Sequence, residues 1–364
     1  MVDVIGQYKR YQDEIDTAIL EVVRSGAYIN GPRVKEFEAD MAAYLNVKHA
    51  IGCANGTDAL HISLLAIDLQ PGDEVITTPF TFVATTETIA ICGGVPVYVD
   101  IEPDTLNLDS NKIEEKITAR TKAIIPVHLF GQPCNMDAIN AIAKKHNLHV
   151  IEDAAQAVGA KWNGQKVCGL GDIGSISFYP SKNLGAFGDA GMVTTNSDDL
   201  ARKLRSIANH GASITYHHDR LGVNSRLDSI QAAILKVKLQ YLDEWNAARA
   251  RAAAIYDEEF AEVAELVQRP YVRPEAESIW HQYSIILKNG RDEVVAHLKA
   301  EKVPFNIYYP IPLHMQPAYS NGSSEGSFPV TEHAAKNILA LPMHSELTEE
   351  DARYIANKVK EAIR

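Results

Sequence analysis

Short runs of apolar residues alternate with amphipathic stretches over residues 50–195. Several runs are continuously apolar and rich in Val and Ile, which is typical of strands covered on both faces of a parallel sheet. The stretches between them repeat apolar positions at helical spacing, as in Asp58–Ile67, Thr81–Cys92 and Met136–His146. This alternation predicts an α/β fold with a mostly parallel sheet. The predicted strands are Ala50–Ala54, Glu74–Thr78, Pro96–Asp100, Ala123–His128, His149–Asp153, Ser175–Tyr179 and Met192–Thr195.

The strand pattern fades after Thr195 and helical spacing takes over, first in Leu200–Asn209 and then in one or two long helices over residues 227–263. Pro270 and Pro274 then bracket a break in the chain. We therefore predict a large domain over residues 1–245 and a smaller C-terminal α+β domain over 246–364. The elements predicted for the small domain are a strand at His281–Leu287, a helix at Arg291–Glu301, a proline-rich loop at 304–317 and a last helix at Glu349–Ile363.

The charge balance narrows the classes of partner. The chain has 35 Lys and Arg against 47 Asp and Glu, which gives a net charge of −12. An acidic chain repels phosphate backbones and anionic lipid, so neither a nucleic acid nor a membrane surface is an expected partner. An anionic small substrate stays compatible with a locally positive pocket. No apolar run approaches the ~18 residues of a membrane span.

The cysteines predict the compartment and argue against a metal site. Cys53, Cys92, Cys134 and Cys168 are scattered and form no C-x-x-C pair, so neither a zinc knuckle nor a redox motif is expected. Such scattered cysteines fit a reducing compartment. Charged residues appear early in the chain, so no signal-peptide core is expected and we predict a cytoplasmic protein.

Two glycine-containing segments could bind anions. Gly169–Gly174 matches G-x-G-x-x-G, but it precedes a predicted strand instead of following one, which argues against a dinucleotide site. The segment Asn55–Leu60 follows the strand Ala50–Ala54 and opens a helix, where Gly56 and the free N–H groups of the first turn favour a phosphate. A simple helix cap by Thr57 or Asp58 is the alternative for this segment.

Two charged residues follow buried strands, where open α/β sheets bind ligands. Asp153 ends the run His149–Asp153, and Lys182 follows Ser175–Tyr179 and precedes three glycines. A lysine desolvated in such a position has a lowered pKa and can react with an aldehyde, whereas a carboxylate can keep a pyridine nitrogen protonated. The pair, with a phosphate cradle, is what pyridoxal phosphate needs. A helix cap for Asp153 and a surface position for Lys182 are the plainer alternatives.

Together these motifs resemble the fold-type I pyridoxal-phosphate enzymes and, within them, the DegT/StrS-type aminotransferases of nucleotide sugars. The resemblance covers nearly the whole chain. Its segments are Ser25–Pro32, Asn55–Leu60, Gly72–Ile76, Thr81–Thr85, Glu152–Ala155, Ser177–Lys182, Gly222–Arg226, Gln231–Ala233 and Tyr309–His314.

The resemblance implies a fold of a mostly parallel seven-stranded sheet, pyridoxal 5'-phosphate as cofactor with pyridoxamine 5'-phosphate as its second form, and a role for each matching residue. Lys182 would be the catalytic lysine, Asp153 would hold the pyridine nitrogen, and Gln156 would lie beside the ring oxygen. Phe82 would stack on the ring, although an aromatic in this apolar stretch is also typical of core. The phosphate would be held by Gly56, Thr57 and Ser177, and by Asn224 from the partner subunit of a homodimer with shared active sites.

On the substrate side the resemblance implies Arg226, Tyr309 and His314. A salt bridge to Asp228 is the alternative role of Arg226, and packing in the core is the alternative for His314 and for His128, which is also a candidate for substrate contact.

The resemblance implies an aminotransferase that uses L-glutamate, with 2-oxoglutarate as the product. The segments 182–191 and 224–228 look most like members that aminate C3 of a keto sugar. The predicted acceptor is UDP-2-acetamido-2-deoxy-3-oxo-glucuronate, for the biosynthesis of a cell-surface polysaccharide such as a lipopolysaccharide O-antigen. A dTDP-3-oxo-6-deoxyhexose is the alternative acceptor. An alternative of another class is a regulatory or binding protein that has lost the chemistry, which the presence of Lys182 and Asp153 disfavours.

Overall fold

The computed structural model describes residues 2–214 and 216–363. Within this part of the chain one large sheet has seven strands, in the spatial order β1–β7–β6–β5–β4–β2–β3. The strands are β1 His49–Cys53, β2 Glu74–Thr77, β3 Val95–Tyr98, β4 Thr121–Ile124, β5 His149–Asp153, β6 Ile173–Ser177 and β7 Gly191–Thr195.

Only β7 runs against the other strands of this sheet. It pairs antiparallel with both β1 and β6, whereas the remaining pairs are parallel. Side chains of the strands are buried on both faces, as Ile151 and Val150 of β5 show, because each belongs to a different apolar cluster. The predicted mostly parallel sheet is confirmed, and its strand bounds differ from the predicted ones by up to four residues.

Helices cover both faces of this sheet, and their ends follow local capping chemistry. Asn135 caps α6 by accepting the N–H of Ala138, and Asn147 ends it in a left-handed conformation with φ of 54°. The helices up to the long pair are α1 Val4–Arg10, α2 Gln12–Ser25, α3 Pro32–Leu45, α4 Gly56–Ala66, α5 Ala84–Ile91, α6 Met136–His146, α7 Asp198–Ile207, α8 Ser229–Leu239 and α9 Leu242–Ala261. The long helical region is thus two helices.

A second, antiparallel sheet lies in the C-terminal part of the chain. It has the strands β8 Val267–Gln268, β9 Tyr283–Leu287 and β10 Ile338–Leu341, with β9 in the centre. The helices α10 Arg291–Ala300, α11 Pro329–Asn337 and α12 Glu349–Ile363 accompany it. Short strand pairs lie at Ala212–Ile214 with His217–His218, and at Lys161–Trp162 with Gln165–Lys166 and Ala276–Glu277; 3-10 turns lie at Ser110–Lys112, Glu114–Lys116, Leu129–Gly131 and Leu313–Met315.

Helix α9 runs through the predicted domain boundary at residue 245 without a break. In its first turn, Leu242 packs in the core beside the large sheet and Trp245 packs against the N-terminal helices. Its later turns pack against the C-terminal sheet, through Ala252, Tyr256 and Phe260. The core that the helix contacts therefore changes just after residue 245, and the two-domain division stays a prediction.

Among the described residues, no helix is both long enough and apolar enough to cross a lipid bilayer.

Candidate active site

The ends of β1, β7 and β6 lie side by side at one edge of the large sheet. Cys53, the last residue of β1, pairs with Gly191, the first residue of β7, and Gly191 also pairs with Ser177 at the end of β6. Asp153 ends β5, which is the next strand and runs parallel to β6. The sheet therefore brings the residues that follow three separate strands to one edge.

Helix α4 begins directly at this edge. Asn55 caps it by accepting the N–H of Asp58 at 2.8 Å, so the cap is neither Thr57 nor Asp58. Gly56 and Thr57 are the first two residues of the helix, and N–H groups in a first turn have no acceptor within the helix. Together with the helix dipole, they form a place for an anion.

Gly56 is required here by the approach of another chain segment. A Cβ built on Gly56 would lie 2.5 Å from the Cβ of Ser177 and 3.0 Å from its Oγ. No side chain larger than hydrogen fits between them without displacing β6. The first turn of α4 and the Ser177 hydroxyl thus line one small cradle.

Asp153 is a buried carboxylate, with 5% of its surface exposed. Its Oδ2 accepts the hydroxyl of Thr85 at 2.8 Å and its Oδ1 accepts the N–H of Ala155 at 3.2 Å. Burial raises the pKa of Asp153, and these two hydrogen bonds and the nearby charge of Lys182 only partly oppose that shift. Among the described residues, no Lys, Arg or His forms an ion pair with this carboxylate. It can therefore pair with a cationic group of a bound ligand.

Lys182 lies in the loop of residues 178–190 between β6 and β7, which we name the lysine loop. Its backbone N–H donates to the carbonyl of Tyr179 at 2.8 Å and closes a turn. Burial lowers the pKa of the Lys182 amine to about 8, although the charge of Asp153 acts in the opposite direction. A substantial fraction of this amine is therefore neutral, and reactive, near pH 8.

Gln156 links Tyr309 to the same region. Its Oε1 accepts the N–H of Phe130 at 2.7 Å, and its Nε2 donates to the Tyr309 hydroxyl at 3.0 Å. Burial raises the pKa of Tyr309, so its hydroxyl stays protonated at neutral pH. The structure thus places Tyr309, which is 153 residues further along the chain, in direct contact with a predicted cofactor residue.

The ring of Phe82 is 57% exposed, in the turn that precedes α5. The alternative that it is an ordinary core residue is wrong, because core aromatics of this chain such as Phe80 are completely buried. The ring is free to stack on a planar ligand.

The segment that contains Asn224 and Arg226 lies against the end of β1. Ser225 accepts the N–H of Ala54 at 3.1 Å. Asn224 itself is exposed, and Arg226 is half-buried and donates to Oδ1 of Asn209 at 3.2 Å. Within the described residues no ion pair joins Arg226 to Asp228, so that alternative is wrong.

The family follows from the whole sequence. The chain matches the model of the DegT/DnrJ/EryC1/StrS aminotransferase family over residues 9–360. The chain belongs to this family.

Three relatives span nearly the full length of this family member. A protein of Geobacillus stearothermophilus named pleiotropic regulatory protein is 50% identical over 100% of this chain and 98% of its own. The UDP-2-acetamido-2-deoxy-3-oxo-D-glucuronate aminotransferase of Pseudomonas aeruginosa is 48% identical over 95% of each chain. The dTDP-3-amino-3,4,6-trideoxy-alpha-D-glucose transaminase of Streptomyces venezuelae is 39% identical over 99% of this chain and 95% of its own.

The fold is also that of solved family members. The crystal structure of S. venezuelae DesV in complex with a ketimine intermediate superposes with a TM-score of 0.97 at 39% identity, covering 100% of this chain and 98% of that one. The predicted family, fold type, enzyme class and pyridoxal phosphate cofactor are confirmed.

The site of this aminotransferase fits pyridoxal phosphate by its own chemistry. Asp153 is a buried carboxylate that lacks a cationic partner among the described residues, and a protonated pyridine supplies one. The cradle of Gly56 and Ser177 at the start of α4 suits the phosphate. Lys182 supplies an amine of lowered pKa for the aldehyde.

The two histidines that were candidates for substrate contact, His128 and His314, are both buried. His128 is fully buried; its Nδ1 accepts the N–H of Cys134 at 3.1 Å, so its Nε2 carries the proton that it donates to Glu152 at 3.0 Å. The packed alternative therefore holds for His128. His314 is also fully buried, and its Nε2 lies 3.0 Å from Glu332. The contacts of its ring lead to Glu332 and Phe328, not to the other predicted site residues, so a substrate contact of His314 stays a prediction.

The segment Gly169–Gly174, together with Cys168 just before it, donates hydrogen bonds to a carboxylate of the protein itself. Glu152 is fully buried, and its carboxylate accepts the N–H groups of Cys168, Leu170 and Gly171, each at 2.8 Å. These N–H groups therefore already have an acceptor within the protein. Glu152 and Asp153 are adjacent but point to opposite faces of the strand, as side chains of β strands do.

Thr85, Asn183 and His281 lie at the site but were not predicted from the sequence. Thr85 donates to Asp153, and Asn183 and His281 contact each other beside Lys182. For Thr85 a signal existed, because it lies within the family segment Thr81–Thr85. His281 offered no local signal, since its partner lies 98 residues away in the chain.

Proposed function

We propose that this enzyme transfers the amino group of L-glutamate to C3 of a UDP-linked 3-keto sugar, with UDP-2-acetamido-2-deoxy-3-oxo-glucuronate as the acceptor. The observation that carries the proposal is the meeting of Lys182, Asp153 and the start of α4 at one sheet edge. The 48% identical relative that is named for this substrate supports the choice of acceptor. The product would serve the biosynthesis of a cell-surface polysaccharide. The free cysteines support the cytoplasm as the compartment.

The residues at the sheet edge have separate roles toward the cofactor and the substrate. Pyridoxal phosphate, when bound, supplies an aldehyde and an electron-withdrawing ring. The N–H groups of Gly56 and Thr57 and the hydroxyl of Ser177 hold the phosphate. Asp153 would keep a proton on the ring nitrogen, and Lys182 would hold the cofactor through its aldehyde. The Lys182 amine, whose pKa burial lowers to about 8, would hold the proton as it moves between the substrate carbon and the carbon that carries the cofactor's aldehyde, which lie on either side of the transferred nitrogen.

Further side chains orient the ring and the sugar. Phe82, whose ring is exposed, covers one face of the pyridine, and Gln156 lies at its edge together with Tyr309. Arg226 recognises a carboxylate or diphosphate of the substrate, because the guanidinium fork binds such groups through two parallel hydrogen bonds. Its single bond to Asn209 leaves donors for that purpose.

A regulatory role is the second candidate, because the 50% identical relative is named a regulatory protein. A regulator that has lost the chemistry has no need of a buried carboxylate or of an amine with a lowered pKa, since both are costly to bury. This chain has kept both in Asp153 and Lys182. We therefore propose a catalytic role for this chain over a regulatory one. Turnover of glutamate by the purified protein decides between the two.

The acceptor can be tested through the reverse half-reaction. We expect 2-oxoglutarate to be converted to glutamate when the UDP-linked 3-amino uronate is offered. The matched analogue with CH2OH at C6 and the dTDP-linked 3-amino-6-deoxyhexose should be poorer. Arg226→Met should lower kcat/KM for the uronate by about 10- to 100-fold, the range of a lost charge-assisted pair. It should leave the CH2OH analogue within a few-fold. Turnover of the dTDP sugar alone would reverse the order of acceptors, and turnover of 4-amino sugars alone would exclude C3.

The homodimer with shared active sites can be tested by mixing inactive variants. Asn224 is exposed in the single chain, and we propose that it completes the phosphate site of the partner subunit. Mixed Lys182→Ala and Asn224→Ala chains should then recover about a quarter of wild-type turnover, because half of randomly paired dimers contain one intact pocket out of two.

The matched control is a mixture of Lys182→Ala and Asp153→Asn chains. Both of these residues belong to one pocket of one chain, so no pairing restores an intact site. If subunit exchange is demonstrated and the Asn224 mixture stays as inactive as this control, Asn224 acts within its own subunit or not at all.

A further inference from the structure

The residue that follows the reactive lysine is fixed by its side chain. Asn183 is 4% exposed, and its Nδ2 donates to Oδ1 of Asn246 at 2.8 Å and to the carbonyl of Ile279 at 3.0 Å. Both amide protons are thereby used, and this fixes which end of the amide is the oxygen. That oxygen lies 3.0 Å from Nδ1 of His281.

His281 must therefore be the donor in this contact. Asn183 Oδ1 can only accept, so Nδ1 of the imidazole carries a proton. His281 is 7% exposed, and burial together with the charges of Lys182 and Arg249 holds its pKa well below the ordinary value. The ring is consequently neutral at physiological pH, with its proton on Nδ1, and it adds no second positive charge near Lys182.

The two residues connect parts of the chain that belong to different cores. Asn183 lies in the lysine loop beside the large sheet, whereas His281 comes two residues before β9 of the C-terminal sheet. The His281 end is itself anchored, because the buried Arg249 on α9 donates to the carbonyls of Trp280, His281 and Met343 at 3.1 to 3.3 Å. A shift of the C-terminal sheet would therefore pull directly on the residue next to Lys182.

We propose that Asn183 and His281 form a positioning pair that holds the Lys182 amine at its place in the active site. The pair works through the backbone: the bond from His281 fixes Asn183, and Asn183 fixes the turn that carries Lys182. Neither residue reacts. The inference rests on the proposed role of Lys182 as the reacting amine.

Two variants of His281 separate the hydrogen bond from the ring. His281→Phe keeps an aromatic ring and loses the donor, whereas His281→Asn loses the ring and keeps an N–H at nearly the position of Nδ1. The readout is the pH dependence of Lys182 acetylation in the full chain freed of cofactor, followed by peptide mass spectrometry. Lys166 serves as the internal control, because burial also lowers its pKa and it contacts Tyr44 instead of the lysine loop.

We expect His281→Phe to raise the midpoint of Lys182 labelling by about one pH unit, because a loosened loop lets the ammonium become hydrated. Capture of added pyridoxal phosphate should slow about tenfold, the upper range for one hydrogen bond. His281→Asn should restore both values, and Lys166 should titrate unchanged in every variant.

An unchanged Lys182 midpoint and capture rate in His281→Phe, even with a lowered melting temperature, would show that the pair is only structural. The proposal also fails if His281→Asn behaves like His281→Phe. Should the phenylalanine variant not fold, Asn183→Leu replaces it, since leucine removes the oxygen that accepts from His281 together with both amide donors and adds no charge; wild-type values there overturn the proposal. Because labelling needs no turnover, these outcomes are independent of whether the proposed reaction is right.

Discussion

Replacing Lys182 by alanine should abolish transamination and leave a folded protein that still binds pyridoxamine phosphate. The amine is proposed both to bond to the cofactor and to move the proton, so turnover should fall by more than about 10³-fold. The side chain is half-buried in a loop, and the bond from Lys182 to the carbonyl of Tyr179 is made by the backbone N–H, which alanine keeps. Binding of pyridoxamine phosphate, which has an amine in place of the aldehyde, needs no lysine and should be retained.

A second lysine, Lys238, is an alternative candidate for the amine that bonds to the cofactor. Lys238 on α8 is 2% exposed, and burial lowers its pKa to about 8, as for Lys182. Its amine donates to the carbonyl of Gly185 and lies 5.2 Å from the centre of the Phe187 ring, so it is held within the protein. The lowered pKa does not separate the two amines, whereas exposure does, because Lys182 is half-buried and Lys238 is almost completely buried.

Borohydride reduction of the enzyme loaded with pyridoxal phosphate shows which of the two lysines bonds to the cofactor. The cofactor should be fixed to the peptide that contains Lys182, and Lys238→Met, the matched control, should still be labelled there. An adduct on Lys238 or another lysine would contradict the assignment. The lowered pKa adds a pH test: capture of pyridoxal phosphate by the cofactor-free protein should rise about tenfold from pH 6 to pH 7 and level off above pH 8, as the neutral amine accumulates.

The sequence predicted those parts of the fold that depend on local pattern. Strands such as β5, whose bounds His149–Asp153 agree with the prediction, are short apolar runs ended by a polar residue at the sheet edge. Asp153 and Lys182 were proposed as site residues for a related reason, because a charged residue at or shortly after the end of a buried strand is costly without a ligand. The roles assigned through the family resemblance needed its motifs, since no periodicity distinguishes Gln156 or Asn224.

The parts that the sequence did not reveal depend on distant contacts. Strand β10 is fully buried beside β9, yet it follows α11 directly and its Ile338–Leu341 run was not predicted as a strand. Glu152 was adjacent to a predicted site residue, but its partners at Cys168–Gly171 are set by the folding of a loop back onto β5. The Asn183–His281 contact joins two cores in the same way.

Replacing Asp153 by asparagine should preserve the fold and lower turnover by ~10²–10⁴-fold, the range of general acid–base elements. The amide oxygen can keep the bond from Ala155, and the amide nitrogen can donate to Thr85, whose hydroxyl has a second neighbour in Thr81 at 3.1 Å. The packing therefore survives, and only the negative charge is lost. Without that charge the ring nitrogen loses its proton, and the ring withdraws electrons less strongly from the carbon that must be deprotonated.

The measurement is the rate of the glutamate half-reaction under single-turnover conditions, with cofactor occupancy determined from absorbance. The matched control is Asp172→Asn, the same change in a carboxylate that accepts the N–H of Val150 at the other end of β6. That variant should lose little turnover, because Asp172 is exposed to solvent and precedes β6, at the end of the strand opposite to Ser177. Since the proton is removed from carbon, a substrate deuterated at that carbon should react more slowly, and the isotope effect should grow in Asp153→Asn as deprotonation becomes more rate-limiting. Near-normal turnover in Asp153→Asn at full occupancy would mean that the carboxylate only accepts the bonds of Thr85 and Ala155 and has no part in the chemistry.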